Sequence, residues 1–314
     1  MLHSGRIVSD TIFLRKLFIL AFLLAGCGVD ITFDESNRDL LEGYQPDGGG
    51  TVDGGTPDTG GPLDRLDHAA WAGVLAAHHR GECFDYDGLS ASPEGRALLG
   101  QYLDQLARVR LDSLEGAERL AFWLNAYNAV TVQGVMDARE DEPGFRVDEN
   151  GFAFFQVRRA TVGGLVLSLD ALEHGVIRGD VSRESLAGFE AAEKDQFLAE
   201  HTALGALDPR IHFALNCASS SCPDLRGEPY RGEALDAQLS AQSTQFMDNA
   251  AKGAGPNGIS ALFTWFQGDF ETVAPIPEYI ALYRTQGLEG VNTSAILEYR
   301  WSLNDFDAQT GSCR

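Results

Sequence analysis

Between Glu118 and Met136 the chain carries a helical pattern with almost no face left for water. Phe122, Ala126, Ala129 and Val130 form an apolar stripe, which Gln133 interrupts one turn later. Ala121 and Val132 lie on a second face, and Trp123, Leu124 and Tyr127 fill the remaining perimeter. A helix that is apolar nearly all round has to be enclosed, so the rest of the chain must wrap it. The face carrying Ala121 and Val132 also holds Asn125 and Asn128, three residues apart. Enclosed amides need partners, because an unsatisfied buried polar group costs about 1–3 kcal/mol. They either bind neighbouring loops or face a polar pocket.

The flanking pattern supplies the wrapping elements. Leu66 to His79 is helix-like, and Ser92-Pro93 reads as the cap and first turn of a second helix. Phe152 to Val157 and Leu165 to Leu169, separated by Gly163-Gly164, read as a hairpin or adjacent strand pair. Ser168 then caps a short helix running to Arg178, on which His174 stands one turn beyond Asp170. Asp180 to Ala206 reads as a mainly helical surface excursion, and Glu233 to Ala250 as an amphipathic helix. Leu262 to Phe266 and Ile296 to Trp301 read as strands, with a helix from Ile276 to Tyr283 opening at Pro277. Helices surround a few strands with no βαβ rhythm, so the expected class is α+β. The expected architecture is one domain, 66–314, with helices around a small, mainly antiparallel sheet.

The chain's unusual chemistry is gathered between Ile211 and Pro223. Ile211, Phe213 and Leu215 alternate with His212, Ala214 and Asn216, the period of a short strand with one apolar face. It runs into Cys217, three serines ending at Ser221, Cys222 and Pro223, which should stop the pairing near Cys217. A thiol at the end of a rigid element, open to a cleft, is a candidate site.

The N-terminus reads as an export signal. Arg15-Lys16 precedes an apolar run from Leu17 to Ala25, too short for a spanning helix and suited to a signal-peptide core. It ends Leu24-Ala25-Gly26-Cys27, which looks like a bacterial lipobox with Cys27 as the diacylated residue. The expected organisation is a lipoprotein signal peptide (1–26), a lipidated Cys27 with a flexible Gly/Asp/Thr/Pro linker (27–65), and the globular domain. Diacyl chains would anchor the protein without a transmembrane helix. Gly28, rather than an Asp, favours the outer membrane, with the domain in the periplasm or on the cell surface. A net charge of −22 with no basic cluster makes a nucleic-acid partner unexpected.

Export also bears on the thiols, because the compartment can oxidise them. With Cys27 lipidated, four cysteines remain. Cys83 near the start of the domain and Cys313, the penultimate residue, are expected to pair and tie the ends together. Cys217 and Cys222 are close enough in sequence to pair or to remain a dithiol. With His174 and His212 they include suitable zinc ligands, but C-x4-C without a second pair is a weak motif. Neither a metal nor another cofactor is expected.

Several segments resemble the bacterial branch of the domain-of-unknown-function 547 family, over about residues 110–305. They are Phe122-Trp-Leu-Asn-Ala-Tyr-Asn-Ala129, Ser168-Leu-Asp-Ala-Leu-Glu-His174, Asp208-Pro-Arg-Ile-His-Phe-Ala-Leu-Asn-Cys217 with Ser221-Cys-Pro223, Phe263-Thr-Trp-Phe with Asp269-Phe270, and Tyr299-Arg-Trp-Ser-Leu-Asn304. The resemblance implies a shared fold and pocket but no established activity. Bacterial members are often exported, whereas plant relatives carry the domain on intracellular proteins. In plant versions the position of Cys217 keeps a Cys and that of Cys222 is often Ser, which marks Cys217 as the functional thiol.

Two functions compete. One is an envelope-anchored lipoprotein that binds a small molecule or peptide in a pocket lined by Asn125, Tyr127, Asn128, His212, Asn216 and Ser221, with Cys217 as a packing residue or half of a local disulfide. The other is a thiol-dependent hydrolase or acyltransferase. Cys217 would be its nucleophile and His174 its base, oriented by Asp170 or Asp269, because a nearby imidazolium lowers a thiol's pKa.

Overall fold

The computed structural model describes residues 60–314. The expected leader (1–26), Cys27 and most of the expected linker lie outside the described residues. The enclosed helix runs Gly116–Asp141, with every residue from Ala121 to Val132 buried. Glu118 in its first turn and Arg139 in its last complement the helix dipole. Around it pack the helices Tyr86–Ala91, Pro93–Arg108, Ala191–Leu204 and Leu235–Asp248, and the wide-turned segment Ala171–Ile177. Two expected caps are formed: Ser92 Oγ accepts the Gly95 amide at 2.9 Å, and Ser168 Oγ accepts the Ala171 amide at 3.0 Å.

The class is α+β, with the strands in four separate antiparallel pairs among the described residues. Only one pair has three-residue strands, Ala160–Val162 with Leu165–Leu167, turning at Gly163-Gly164. The glycines carry positive φ there, 57° and 83°, which the tight turn requires. Its first arm is not 152–157: Phe152 enters the left-handed region and opens a helical turn, Ala153–Gln156. Leu262–Trp265 is likewise a helical turn, opened by Ser260, whose carbonyl accepts the Phe263 amide at 3.2 Å.

Ile211–Ala214 is also one helical turn rather than a strand. Asp208 is the cause: its side chain accepts the Arg210 amide at 3.0 Å, and its carbonyl accepts that of Ile211 at 3.1 Å. All four residues of the turn are buried, so the apparent alternation does not separate a wet face from a dry one. Phe213 points into a second apolar cluster with Phe246, Phe263, Phe270 and Tyr279.

Residues 296–305 are extended and return along other segments without forming a named strand. Leu303 bridges Ser219, and the Ser220 amide donates to the Ser302 carbonyl at 2.7 Å. Beside this return Phe84 bridges Asp305, and Cys83 is disulfide-bonded to Cys313. Replacing both cysteines by alanine is expected to cost about 2–4 kcal/mol, given the long loop the bond closes. Urea unfolding of the oxidised wild type and of the double variant measures it; equal midpoints would contradict it.

Candidate functional site

The site begins with the amides of the enclosed helix. Asn128 Nδ2 donates to the Ala214 carbonyl at 3.0 Å, and its Oδ1 accepts the Asn216 amide at 2.8 Å. Asn125 holds Tyr230 in the same two-handed way, at 2.8 and 2.9 Å. Asn216 closes the next loop: its Nδ2 reaches the Pro223 carbonyl at 2.7 Å and its Oδ1 accepts the Ala218 amide at 3.1 Å. These three side chains hold backbone in place. Ser221 does likewise, its Oγ accepting the Arg300 amide at 2.9 Å. Tyr127 is buried against the apolar core.

The loop so held puts Cys217 at a sharp corner. Ala218, wholly buried, follows it with φ 64°, a conformation costing a residue with a Cβ about 1–3 kcal/mol. The Cys217 thiol is half-buried and unbonded, as is the fully buried Cys222 thiol. Cys217 Sγ lies 3.2 Å from Ser219 Oγ and 3.3 Å from the Tyr299 hydroxyl, which are 3.0 Å from each other. This triangle holds three contacts and only two hydroxyl hydrogens. When sulfur is a thiolate both hydroxyls can turn to it; when it is a thiol, Ser219 donates to Tyr299 instead. Burial pushes the Cys217 thiol up, but hydrogen bonds from Cys222, Ser219 and Tyr299 more than reverse this and bring it to about 6. Burial and the Cys217 charge push Cys222 up, so Cys217 ionises first. Burial and the same charge keep Tyr299 a donor.

The expected histidine is not among the hydrogen-bonding partners of this sulfur. His174 Nδ1 accepts from Arg178 at 3.0 Å, which puts the proton of the neutral ring on Nε2, 3.9 Å from Asp170. Burial, with Arg183 and Arg178 close by, holds His174 well below its ordinary value, so the ring is neutral at pH 7. Asp269 orients the other histidine: His212 Nε2 donates to it at 2.8 Å, and Arg178 Nε donates to the same oxygen at 2.8 Å. His212, stacked on Phe266 with centroids 4.0 Å apart, is lowered by burial to about 4 despite Asp269. Burial alone would push Asp269 up, but these two bonds hold it well below the usual carboxylate range. The His212–Asp269 contact is therefore a neutral imidazole on a carboxylate rather than an ion pair.

Sequence reasoning passed over an acid whose proton affinity responds to the Cys217 charge. Glu173, beside His174 on the Ala171–Ile177 segment, is pushed up to about 7, chiefly by burial, with Asp170 and the Cys217 charge adding to the rise. Ser219 and Tyr299 were missed as partners, although both lie in or beside the motifs that nominated the site. Among the described residues no group of three or more His, Cys, Asp or Glu side chains is arranged to hold a metal ion. Nor is any described helix long and apolar enough to cross a membrane.

Two measurements follow from this geometry. Asn128→Ala removes both bonds that hold residues 214–216 and leaves buried backbone groups unpaired, so it should cost about 2–4 kcal/mol in urea unfolding. A loss below about 0.5 kcal/mol, an ordinary surface value, would contradict the clamp. Glu173 binds its proton more tightly folded than unfolded, so its contribution is full below pH 4.5 and is lost as pH rises through 7. Glu173→Gln should therefore gain on the wild type between pH 4.5 and 8, by at most about 3 kcal/mol. Parallel stability–pH curves would contradict this.

No curated protein and no solved structure matches the chain. A family model does match, over 111–247, which includes the Asn125–Asn128 helix and the Cys217–Cys222 loop but not Tyr299. That stretch is similar to the family described as "Protein of unknown function, DUF547".

Proposed function

We propose that the domain is a thiol-dependent hydrolase or acyltransferase with Cys217 as nucleophile, carried on an envelope-anchored lipoprotein of the bacterial exported branch of its family. The observation that carries this reading is the Cys217 sulfur at a strained corner, faced by the Ser219 and Tyr299 hydroxyls. A thiol used only for packing needs neither the corner nor the hydroxyls. The amides that would have served a binding pocket are spent on backbone, which leaves the thiol as the group free to act. The lipobox at Leu24–Cys27 supplies the anchor, and the Cys83–Cys313 bond suits an oxidising compartment.

The thiolate attacks the carbonyl carbon of an ester, thioester or amide, and the leaving group departs as the tetrahedral intermediate collapses. Glu173, protonated below about pH 7, gives the leaving group its proton and, once ionised, accepts one from the water or amine that releases the acyl group. His174, neutral and fixed by Arg178, acts in positioning rather than as the base.

Two tests apply. p-Nitrophenyl acetate should release nitrophenol in a burst and leave an acetyl group on Cys217, and Cys217→Ala should abolish both; a wild type that stays unacylated would overturn the reading. Iodoacetamide labelling of Cys217 should show a midpoint near pH 6. Tyr299→Phe should raise that midpoint by about one unit, because a donor to the thiolate is lost, whereas His174→Ala should leave it nearly unchanged. The reverse pattern would restore a Cys–His pair.

A further inference from the structure

Cys222 takes no covalent part in the acyl chemistry, though its thiol helps to stabilise the Cys217 thiolate, and it lies against the nucleophile. Its Sγ accepts the backbone amide of Cys217 at 2.8 Å, and its thiol has two acceptors for one hydrogen, the Leu215 carbonyl at 3.7 Å and the Cys217 sulfur. The loop between them is Ala218-Ser-Ser-Ser221, held along one side by residues 300–304. Cys217 is half-buried and Cys222 fully buried, so an oxidant meets one sulfur and not the other.

We propose that Cys217 is an oxidation site for hydroperoxides and that Cys222 is its resolving thiol. The Cys217 thiolate attacks the distal oxygen of the hydroperoxide, the O–O bond breaks, and the alkoxide or hydroxide takes a proton and leaves as alcohol or water. Cys217 becomes a sulfenic acid, oxidised by two electrons, and the peroxide is reduced. The Cys222 sulfur then attacks the Cys217 sulfur, the S–O bond breaks, and hydroxide leaves as water with the Cys222 proton. Rotation about the Cys217 Cα–Cβ bond carries the sulfur from the two hydroxyls towards Cys222. The disulfide removes the nucleophile from its donors, so oxidation switches the acyl chemistry off, and a dithiol reductant restores it.

The inference uses the same sulfur as the proposed acyl transfer but does not depend on that activity. Trypsin leaves both cysteines in one peptide, Ile211 to Arg226. After stoichiometric hydrogen peroxide and alkylation, the wild-type peptide should be lighter by two hydrogens and carry no alkyl group. Cys222→Ser and Cys222→Ala should instead accumulate a sulfenic acid that dimedone captures at Cys217, passing on to sulfinic acid. Sulfinic acid forming in the wild type as fast as in the variants, or no loss of the two hydrogens, would overturn the inference. Acetylation by p-nitrophenyl acetate, read in the same preparation, separates the two readings. A thiol that acylates but forms no disulfide defeats this inference alone, and one that forms the disulfide without acylating defeats the hydrolase alone.

Discussion

The structure depends on the two-handed grip of Asn128 on Ala214 and Asn216. A buried amide is costly unless both its ends are satisfied, and here each end is satisfied by backbone that is not helix. The consequence runs outward. The grip fixes where the helical turn at Ile211–Ala214 ends, so Asn216 can close its own loop, so Ala218 is held at positive φ, and so the Cys217 sulfur points at Ser219 and Tyr299. Asn125 repeats the device one turn earlier on Tyr230. The enclosed helix is thus a core element and also the jig on which the site is assembled.

Electrostatics divide the candidate site into two unlike halves. Around Cys217 the donors are hydroxyls and a second thiol, which stabilise a negative sulfur without any fixed positive charge. A second string runs from His174 through Arg178 and Asp269 to His212, where burial, helped by the nearby guanidinium and against the pull of the Asp269 carboxylate, keeps both imidazoles neutral. The resulting pattern, a thiolate with a buried acid and neutral rings, differs from the cysteine–imidazolium pair that the sequence invites.

Features carried by local chemistry were legible before any coordinates. The enclosed helix, the Ser92 and Ser168 caps, the turn at Gly163-Gly164 and the Cys83–Cys313 pairing all follow from short-range pattern or elementary reasoning about thiols. Four expected strands did not form, that at 296–301 among them, and the other three failed for one reason. Around 152–157, 211–216 and 262–266 the apolar residues are short runs in which both periods fit, and a turn set by Phe152, Asp208 or Ser260 decided for helix. The site was half legible. Cys217 stood out by composition, but Tyr299 lies 82 positions away by the chain, a separation no local pattern bridges. Glu173 was inconspicuous because an acid on a short helix is usually wet, and only the packing shows that this one is not.

Tyr299 reaches Cys217 from a segment that is itself moored beside Phe84, next to the Cys83–Cys313 bond. The acidity of the sulfur is therefore in part an assembly property: Cys222 and Ser219 lower it from within the loop, and Tyr299 adds its share only once the two far parts of the domain have met. Without the Tyr299 hydroxyl the thiol is less acidic and so slower towards electrophiles at neutral pH. Reactivity at neutral pH then serves as a built-in certificate of completed docking.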